Sequence, residues 1–573
     1  MSRSSTGRAA LSIASWLHER WRCGVHCPSE SRFALLLAVV WSVFYSVPFW
    51  RESTHAMWHP TLGGVGFMLS LLTLVVSLQA MLVLTMPGRT LMRAAASALF
   101  VVAAASSYFS LTYGALMNRD MLRNLLETDS AEVGGLLNAR LIATLLVCGV
   151  LPAILIWRVA IPEVTWVQRL RQRLGFFVVA ISACAVALFA FSANYAVFFR
   201  EHKPVRYLLM PAAPTYSLAS LLGTGERLTA NGPLINSAGA ARRSAQANAR
   251  PLVVFVVVGE TARAANFELA GYERPTNPEL RSVADDDAGS LVYFSHAVSC
   301  GTSTAESVPC MFAGLGREQF RVEDANRHTN LLDALVQAGI DVEWRDNNAG
   351  CKGVCARVHR VDSSEHRDPA LCEHANCYDE ILLTDLPARL AQVREDTVIV
   401  FHQIGSHGPA YAERYPPDFE RFKPSCRTNQ LQHCSAEEVR NAYDNTIAYT
   451  DHVLARMIDT LRGASDRLDT LLIYASDHGE SLGEQGIYLH GMPYSFAPRV
   501  QKEIPMLMWA SAEYQTRVGL HDDCLQARAQ LPSSHDNLYH TILGATDVRN
   551  RAYDPKLDML AGCRAEPVGF DHE

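Results

Sequence analysis

Leu252-Val253-Val254-Phe255-Val256-Val257-Val258-Gly259-Glu260-Thr261 is an unbroken apolar run, rich in β-branched residues, that stops at a glycine, a carboxylate and a hydroxyl. An apolar run without alternation is what a strand covered on both faces requires. Three more segments have this shape: Val342–Trp344 runs into Arg345-Asp346-Asn347-Asn348, Val398–Phe401 into His402 and on to His407, and Leu471–Ala475 into Asp477-His478-Gly479-Glu480. Helical patterns, Leu331–Ala338 and Ala442–Leu461 among them, lie between. Strands alternating with helices predict a doubly wound α/β domain whose ligands sit at the carboxyl ends of the strands.

Metal-type residues come after those strands, where packing does not call for them. Glu260, Asp477 and His478, with Thr304 as an oxygen donor, form a four-member N/O set suited to Zn²⁺. Thr304 stands in Ser299-Cys300-Gly301-Thr302-Ser303-Thr304-Ala305-Glu306-Ser307-Val308-Pro309-Cys310, and Ala305, Val308, Met311, Phe312 and Leu315 continue at helical spacing. A hydroxyl there has two readings. It caps a helix, or it faces the free N–H groups and positive dipole end that would stabilise an attacked phosphate. Zinc lowers the pKa of bound water from 15.7 to about 7, and the same effect would make Thr304 a nucleophile at neutral pH. His407 and His490, each followed by glycine, are candidates for binding a phosphate, protonating a leaving oxygen or holding a second metal. Lys352, in Gly350-Cys351-Lys352-Gly353, either pairs with a phosphate or is an exposed lysine without a role.

The 573 residues divide by polarity: the long uncharged runs lie before about residue 200, and the charge and histidine after it. A net charge of −7 with no basic stripe beyond residue 250 argues against a nucleic-acid partner. Of fourteen cysteines, those after residue 300 fall into close pairs, Cys300/Cys310, Cys351/Cys355, Cys372/Cys377 and Cys426/Cys434, leaving Cys524/Cys563 as a fifth. These spacings do not supply the regular pairs of a zinc ribbon, so disulfides and an oxidising compartment are expected. Cys23, Cys27, Cys148 and Cys184 are expected as free thiols.

Residues 1–31 are polar and arginine-bearing, with no cleavage site of the signal-peptide kind. Five apolar spans come next, at about 33–50, 61–87, 92–113, 141–161 and 175–198. The basic segments are the N-terminus, the Arg89/Arg93 turn and the loop with Arg158, Arg169, Arg171 and Arg173. The positive-inside rule therefore puts the N-terminus in the cytoplasm, and an odd number of spans exports the chain beyond residue 200. The expected domains are a cytoplasmic segment 1–31, a five-helix membrane domain 32–200, an interfacial linker 201–250 and an exported catalytic domain 251–573. Asn124, Thr128 and Glu132 would share one helix face between the third and fourth spans, either as a solvated face or as a lipid headgroup site.

The motifs Val258–Arg263, Ser299–Thr304, Ser307–Phe312, Trp344–Asn348, His407–Tyr411, Ser476–Glu484 and His490–Pro493 together resemble the bacterial phosphoethanolamine transferases, which include the lipid A enzymes and the mobile colistin-resistance proteins. The resemblance covers essentially the whole chain. It implies a five-span membrane domain joined to an exported α/β domain of the alkaline phosphatase/sulfatase type, in the bacterial inner membrane with the catalytic domain in the periplasm. It matches Thr304, not Thr302, to the nucleophile, and Glu260, Asp477 and His478 to the zinc ligands. Asn348, Lys352, His407 and His490 match substrate or second-metal positions, and Asn124, Thr128 and Glu132 match donor-headgroup residues. The implied reaction is ping-pong: the threonine takes phosphoethanolamine from phosphatidylethanolamine, releases diacylglycerol, and passes the group to lipid A or another part of lipopolysaccharide. The implied enzyme is a monomer with one tight Zn²⁺. The usual sulfatase segment, Cys/Ser-x-Pro-x-Arg, is absent, since the residues here read Cys300-Gly301-Thr302-Ser303-Thr304. A lipopolysaccharide core sugar or other envelope acceptor, or a membrane-tethered binding protein without activity, are the alternative readings.

Overall fold

A computed structural model describes residues 27–58, 60–127, 136–223, 234–236, 239–243, 250–286, 289–363, 367–373 and 376–565. The chain divides into two units, Met1–Leu122 with Leu137–Leu221, and Arg123–Leu136 with Leu222–Glu573. Cys23, Thr128 and Glu132 lie outside the described residues.

Among the described residues of the first unit four helices have the length and apolarity to cross a membrane, Leu62–Leu84, Arg89–Tyr113, Ala139–Arg158 and Trp166–Ala190. The pair Glu30–Tyr45 and Val47–Met57 makes a fifth if counted as one span, but it bends by 70°. The expected span at 33–50 falls on this bent pair. A π-turn at Trp41–Tyr45 leads to Ser46, whose φ and ψ leave the helical region, and Pro48 starts a new helix. The last span begins earlier than the apolar run suggested, because Thr165 and Gln168 form a capping box that starts the helix among its arginines. Those arginines have work in the bundle. Glu30, 3% exposed, accepts from Arg169 Nε at 2.8 Å and Arg173 Nη2 at 2.6 Å, and Arg173 also donates to the carbonyls of Leu84 and Met86. Cys27, Cys148 and Cys184 are free.

The second unit is built on a seven-stranded sheet. Its strands are β1 Leu252–Gly259, β2 Leu291–Tyr293, β3 Asp341–Asp346, β4 His359–Asp362, β5 Thr397–His402, β6 Asp469–Ser476 and β7 Met506–Ala510, in the order β2-β7-β6-β1-β5-β3-β4. From β6 to β4 neighbours run parallel, while β7 joins β6 antiparallel and β2 joins β7 antiparallel. The run that opens β1 is apolar throughout because both faces are covered. Val254, Val256 and Val258 pack in one core with Val308, Phe312 and Trp344, and Val253, Phe255 and Val257 pack in the other with Tyr443 and Ile447 from the helix Ala436–Arg462. The register decides where the chemistry gathers: Gly259 pairs with Ser476, Val258 with His402, and His402 with Asp346. The residues after these strand ends all emerge at one edge. All five expected disulfides form, Cys300–Cys310, Cys351–Cys355, Cys372–Cys377, Cys426–Cys434 and Cys524–Cys563.

Candidate active site

Glu260, Asp477 and His478 each present a ligand atom within 4.8 Å of the other two, and all three are fully buried. Glu260 and Asp477 stand directly after the paired ends of β1 and β6, so the sheet itself brings them together. The backbone is strained here, with Thr261 at φ +52°, and it is pinned twice: Thr261 N–H donates to Asp477 Oδ1 at 3.1 Å, and the Tyr443 hydroxyl donates to the Thr261 carbonyl at 2.7 Å. Gly405, at φ +48°, packs so close that a Cβ would lie 2.6 Å from the Glu260 carbonyl.

The inner atoms of this group lack the hydrogen bonds that buried polar atoms normally have. Asp477 Oδ2 and His478 Nε2 are both buried and unpartnered. His478 Nδ1 sits 2.9 Å from the Gly479 carbonyl, which holds the proton on that nitrogen and turns the Nε2 lone pair toward the carboxylates, 3.5 Å from Glu260 and 3.4 Å from Asp477. Burial pushes the His478 ring down to about 3, so it is neutral. Burial and the adjacent Glu260 push Asp477 well up. For Glu260 burial acts upward, but the His478, His407, His490 and His402 rings act downward and prevail. Two carboxyls and an imidazole aimed at one point, with orphaned inner atoms, are a donor set that fits Zn²⁺.

Thr304 joins them. It opens the helix Thr304–Ala313, and the N-cap position belongs to Ser303, whose side chain makes no capping bond. The Thr304 hydroxyl instead lies 3.1 Å from Glu260 Oε2 and 3.3 Å from Oε1. The capping reading of this hydroxyl is thus replaced by contact with the ligand group. Asn348 Nδ2 donates to Glu260 Oε2 and to the Gln403 carbonyl, both at 2.8 Å, which fixes the carboxylate. The His490 ring centre lies 4.4 Å from that of His478 and 5.5 Å from that of His407, so the two His-Gly histidines border the ligands. Lys352 is half-buried, not exposed, at φ +49°, and its ammonium donates to the Ala349 carbonyl at 3.1 Å. Asn124 lies half-buried on the helix Arg119–Glu127.

Two residues of the site have no role assigned from sequence. Glu480, fully buried, is 3.3 Å from His490 Nδ1, and its place in the Asp-His-Gly-Glu motif is the available signal. His535 accepts the Cys300 N–H on Nδ1 at 3.0 Å and reaches the Ser476 carbonyl with Nε2 at 2.8 Å, so one ring joins the loop before Thr304 to the end of β6. Nothing local to His535 signals this.

Residues 252–548 match the Sulfatase family, and residues 68–224 match the family described as Phosphoethanolamine transferase EptA/EptB. The chain is 42% identical to Phosphoethanolamine transferase EptA of Salmonella typhimurium over 82% of this chain and 86% of that one. It is 37% identical to Phosphatidylethanolamine transferase Mcr-1 of Escherichia coli, over 86% and 90%. The structure resembles that of the integral membrane protein lipooligosaccharide phosphoethanolamine transferase A from Neisseria meningitidis, with a TM-score of 0.90 and 32% identity over 95% of this chain and all of that one. With likeness running through both the apolar and the sulfatase-type half, the chain belongs to the phosphoethanolamine transferases.

Proposed function

We propose that this protein transfers phosphoethanolamine from phosphatidylethanolamine to a lipid A phosphate, with Thr304 as the nucleophile. The observation that carries the reading is the Thr304 hydroxyl, at a helix N-terminus and 3.1 Å from Glu260, beside two further ligand residues whose inner atoms are unpartnered. The acceptor class accords with the lipooligosaccharide named for the Neisseria relative. The placement is the bacterial inner membrane, with residues 1–31 cytoplasmic, 32–200 spanning, 201–250 linking and 251–573 in the periplasm; the arginine-rich segments between spans support it.

Glu260, Asp477, His478 and the Thr304 oxygen would hold a zinc ion. When bound, zinc supplies Lewis acidity, lowering the pKa of an oxygen and offsetting phosphoryl charge. In the first half-reaction the Thr304 hydroxyl gives up its proton, a Thr304 Oγ–P bond forms and the bond from phosphorus to the glycerol oxygen breaks. Diacylglycerol leaves with a proton, for which His407 or His490 is the donor. In the second, an acceptor oxygen attacks phosphorus, the Thr304 Oγ–P bond breaks, and the hydroxyl returns. The first N–H groups of the helix Thr304–Ala313, those of Thr304 and Ala305, would face the developing charge. Asn348 holds Glu260 in place, and Lys352 with the two histidines would bind the phosphate, the histidines also offering the place for a second metal. Asn124, Thr128 and Glu132 would bind the donor headgroup.

The test is a mass spectrum of lipid A from a Gram-negative host expressing this chain or its Thr304→Ala variant. A phosphoethanolamine increment with the parent alone is expected. Unchanged lipid A with continued diacylglycerol release would move the acceptor to a core sugar, and no release would leave a binding protein. Each added ethanolamine brings an ammonium to an anionic surface, so polymyxin susceptibility should fall with the modification.

A further inference from the structure

Among its described residues the first unit has two π-turns, Trp41–Tyr45 and Leu145–Val150, and both open onto one cavity of about 390 Å³. A π-turn inserts an extra residue into a helix and is found mostly where the helix has been reshaped for a function. Here Phe44 and Tyr45 come from one turn and Val147 and Cys148 from the other, and the Tyr45 hydroxyl donates to the Cys148 carbonyl at 2.5 Å, tying the two together. The helix Arg89–Tyr113 closes the space with the small buried residues Ala104 and Ser107. Two π-turns set side by side against small residues leave a slot where side chains would otherwise interlock.

The slot is apolar inside and polar at one rim. Phe44 and Val147 are 69% and 61% exposed, so the opening faces the hydrocarbon that surrounds these spans. Thr112, Thr144 and Arg140 stand at the rim, at the end of the bundle away from the Glu30–Arg169–Arg173 cluster. Arg140 stands in the first turn of the helix Ala139–Thr144 and is exposed, so its guanidinium can reach the headgroup level, where the anions are lipid phosphates. The volume falls in the range of small-ligand sites.

We propose that this crevice binds one diacyl glycerophospholipid, an acyl chain lying between the π-turns and the phosphate on Arg140. A single cation beside a single slot fits one phosphate and one chain better than a multiply acylated, doubly phosphorylated sugar lipid. In the transfer reaction proposed above the donor is such a lipid, and the crevice then captures it from the bilayer. That role rests on the proposed function, whereas the lipid site does not.

The experiment is native mass spectrometry of the full chain with dioleoylphosphatidylethanolamine added, for the parent and for Ser107→Leu, Val147→Trp and Arg140→Gln. Ser107→Leu fills the floor. Val147→Trp fills the slot from an exposed rim, where folding is least at risk, and an unchanged helical circular dichroism signal identifies intact bundles. One retained lipid on the parent and about a tenfold loss of affinity in each intact variant are expected, about 1.4 kcal/mol, with a similar rise in KM for that lipid in turnover. Equal retention by intact Val147→Trp and parent overturns the site, and preferential retention of added lipid A overturns the assigned occupant. Lipid loss in the variants with no turnover by the parent upholds the site and counts against the proposed reaction instead.

Discussion

Each half of the chain buries carboxylates, and the two halves neutralise them differently. Glu30 is 3% exposed and meets two guanidinium groups, Arg169 and Arg173, so its charge is answered by the protein. Glu260 and Asp477 are 1% and 0% exposed and lie together, yet among the described residues their partners are a hydroxyl, an amide, backbone N–H groups and a neutral imidazole. Burying a charge without a countercharge is expensive, so the first arrangement is complete and the second calls for a cation from outside. The contrast separates a carboxylate that holds helices together from carboxylates placed where an ion could be held.

The sharpest way to break this distinction is to remove the ion. Chelation of the parent, or Asp477→Asn, should lower transfer by at least ~10³-fold and bring zinc, measured by plasma mass spectrometry, from about one per chain to near zero. Zinc should restore the chelated parent but not the variant. Retained transfer without metal would place Glu260 and Asp477 with Glu30 as structural groups. Next in size is Glu30→Gln, which leaves two arginines facing a neutral amide. A loss of about 3–5 kcal/mol is expected, seen as a lower melting temperature in detergent, with zinc content per folded chain unchanged. A loss of zinc in this variant would mean that the two clusters are not independent.

A third prediction concerns pH. His535 is buried, and burial pushes its ring down to about 4, while the ring titrates near 6.5 in the unfolded chain. The folded state therefore disfavours the added proton. Its contribution is full above pH ~6.5 and is lost as pH falls toward ~4, a change of about 3 kcal/mol. His535→Asn keeps an acceptor for the Cys300 N–H at the Nδ1 position and has no titrating ring, so its melting temperature, though lower throughout, should fall less than the parent's between pH 6.5 and 5. Parallel curves would sink the assignment. The smallest effect is expected from Asn348→Ala, which frees Glu260 on one side. Zinc affinity should weaken about 10–100-fold, measured by competition with a chelator, with the melting temperature of the zinc-loaded protein little changed.

Legibility in the sequence tracks how local each cause is. The valine runs of β1 and β5 and the residues after them can be read directly, because a strand covered on both faces must be apolar along its length. The ligand set can be read because each carboxylate comes directly after such a run. The edge strand β2 and its antiparallel neighbour β7 cannot, since Leu291–Tyr293 is three residues long and the antiparallel return of Met506–Ala510 is a property of the assembled sheet. The bend after Tyr45 is hidden because Trp41-Ser42-Val43-Phe44-Tyr45 is as apolar as a straight span requires, and a π-turn changes geometry without changing polarity. His535 is hidden because its partners, Cys300 and Ser476, are 235 and 59 residues away.

The pairing of Gly259 with Ser476 also bears on how the protein matures. Thr261 and Asp477 touch across 216 residues, so Glu260 is made early in synthesis and Asp477 and His478 late. Parallel pairing over such a separation is slow, because a long loop must close before any contact rewards it. A nascent chain that has delivered β1 but not β6 has Glu260 of the candidate set and lacks Asp477 and His478. On the proposed zinc site, metal uptake would report on completion: only a chain extended and paired through Ser476 would bring all three candidate ligand residues together.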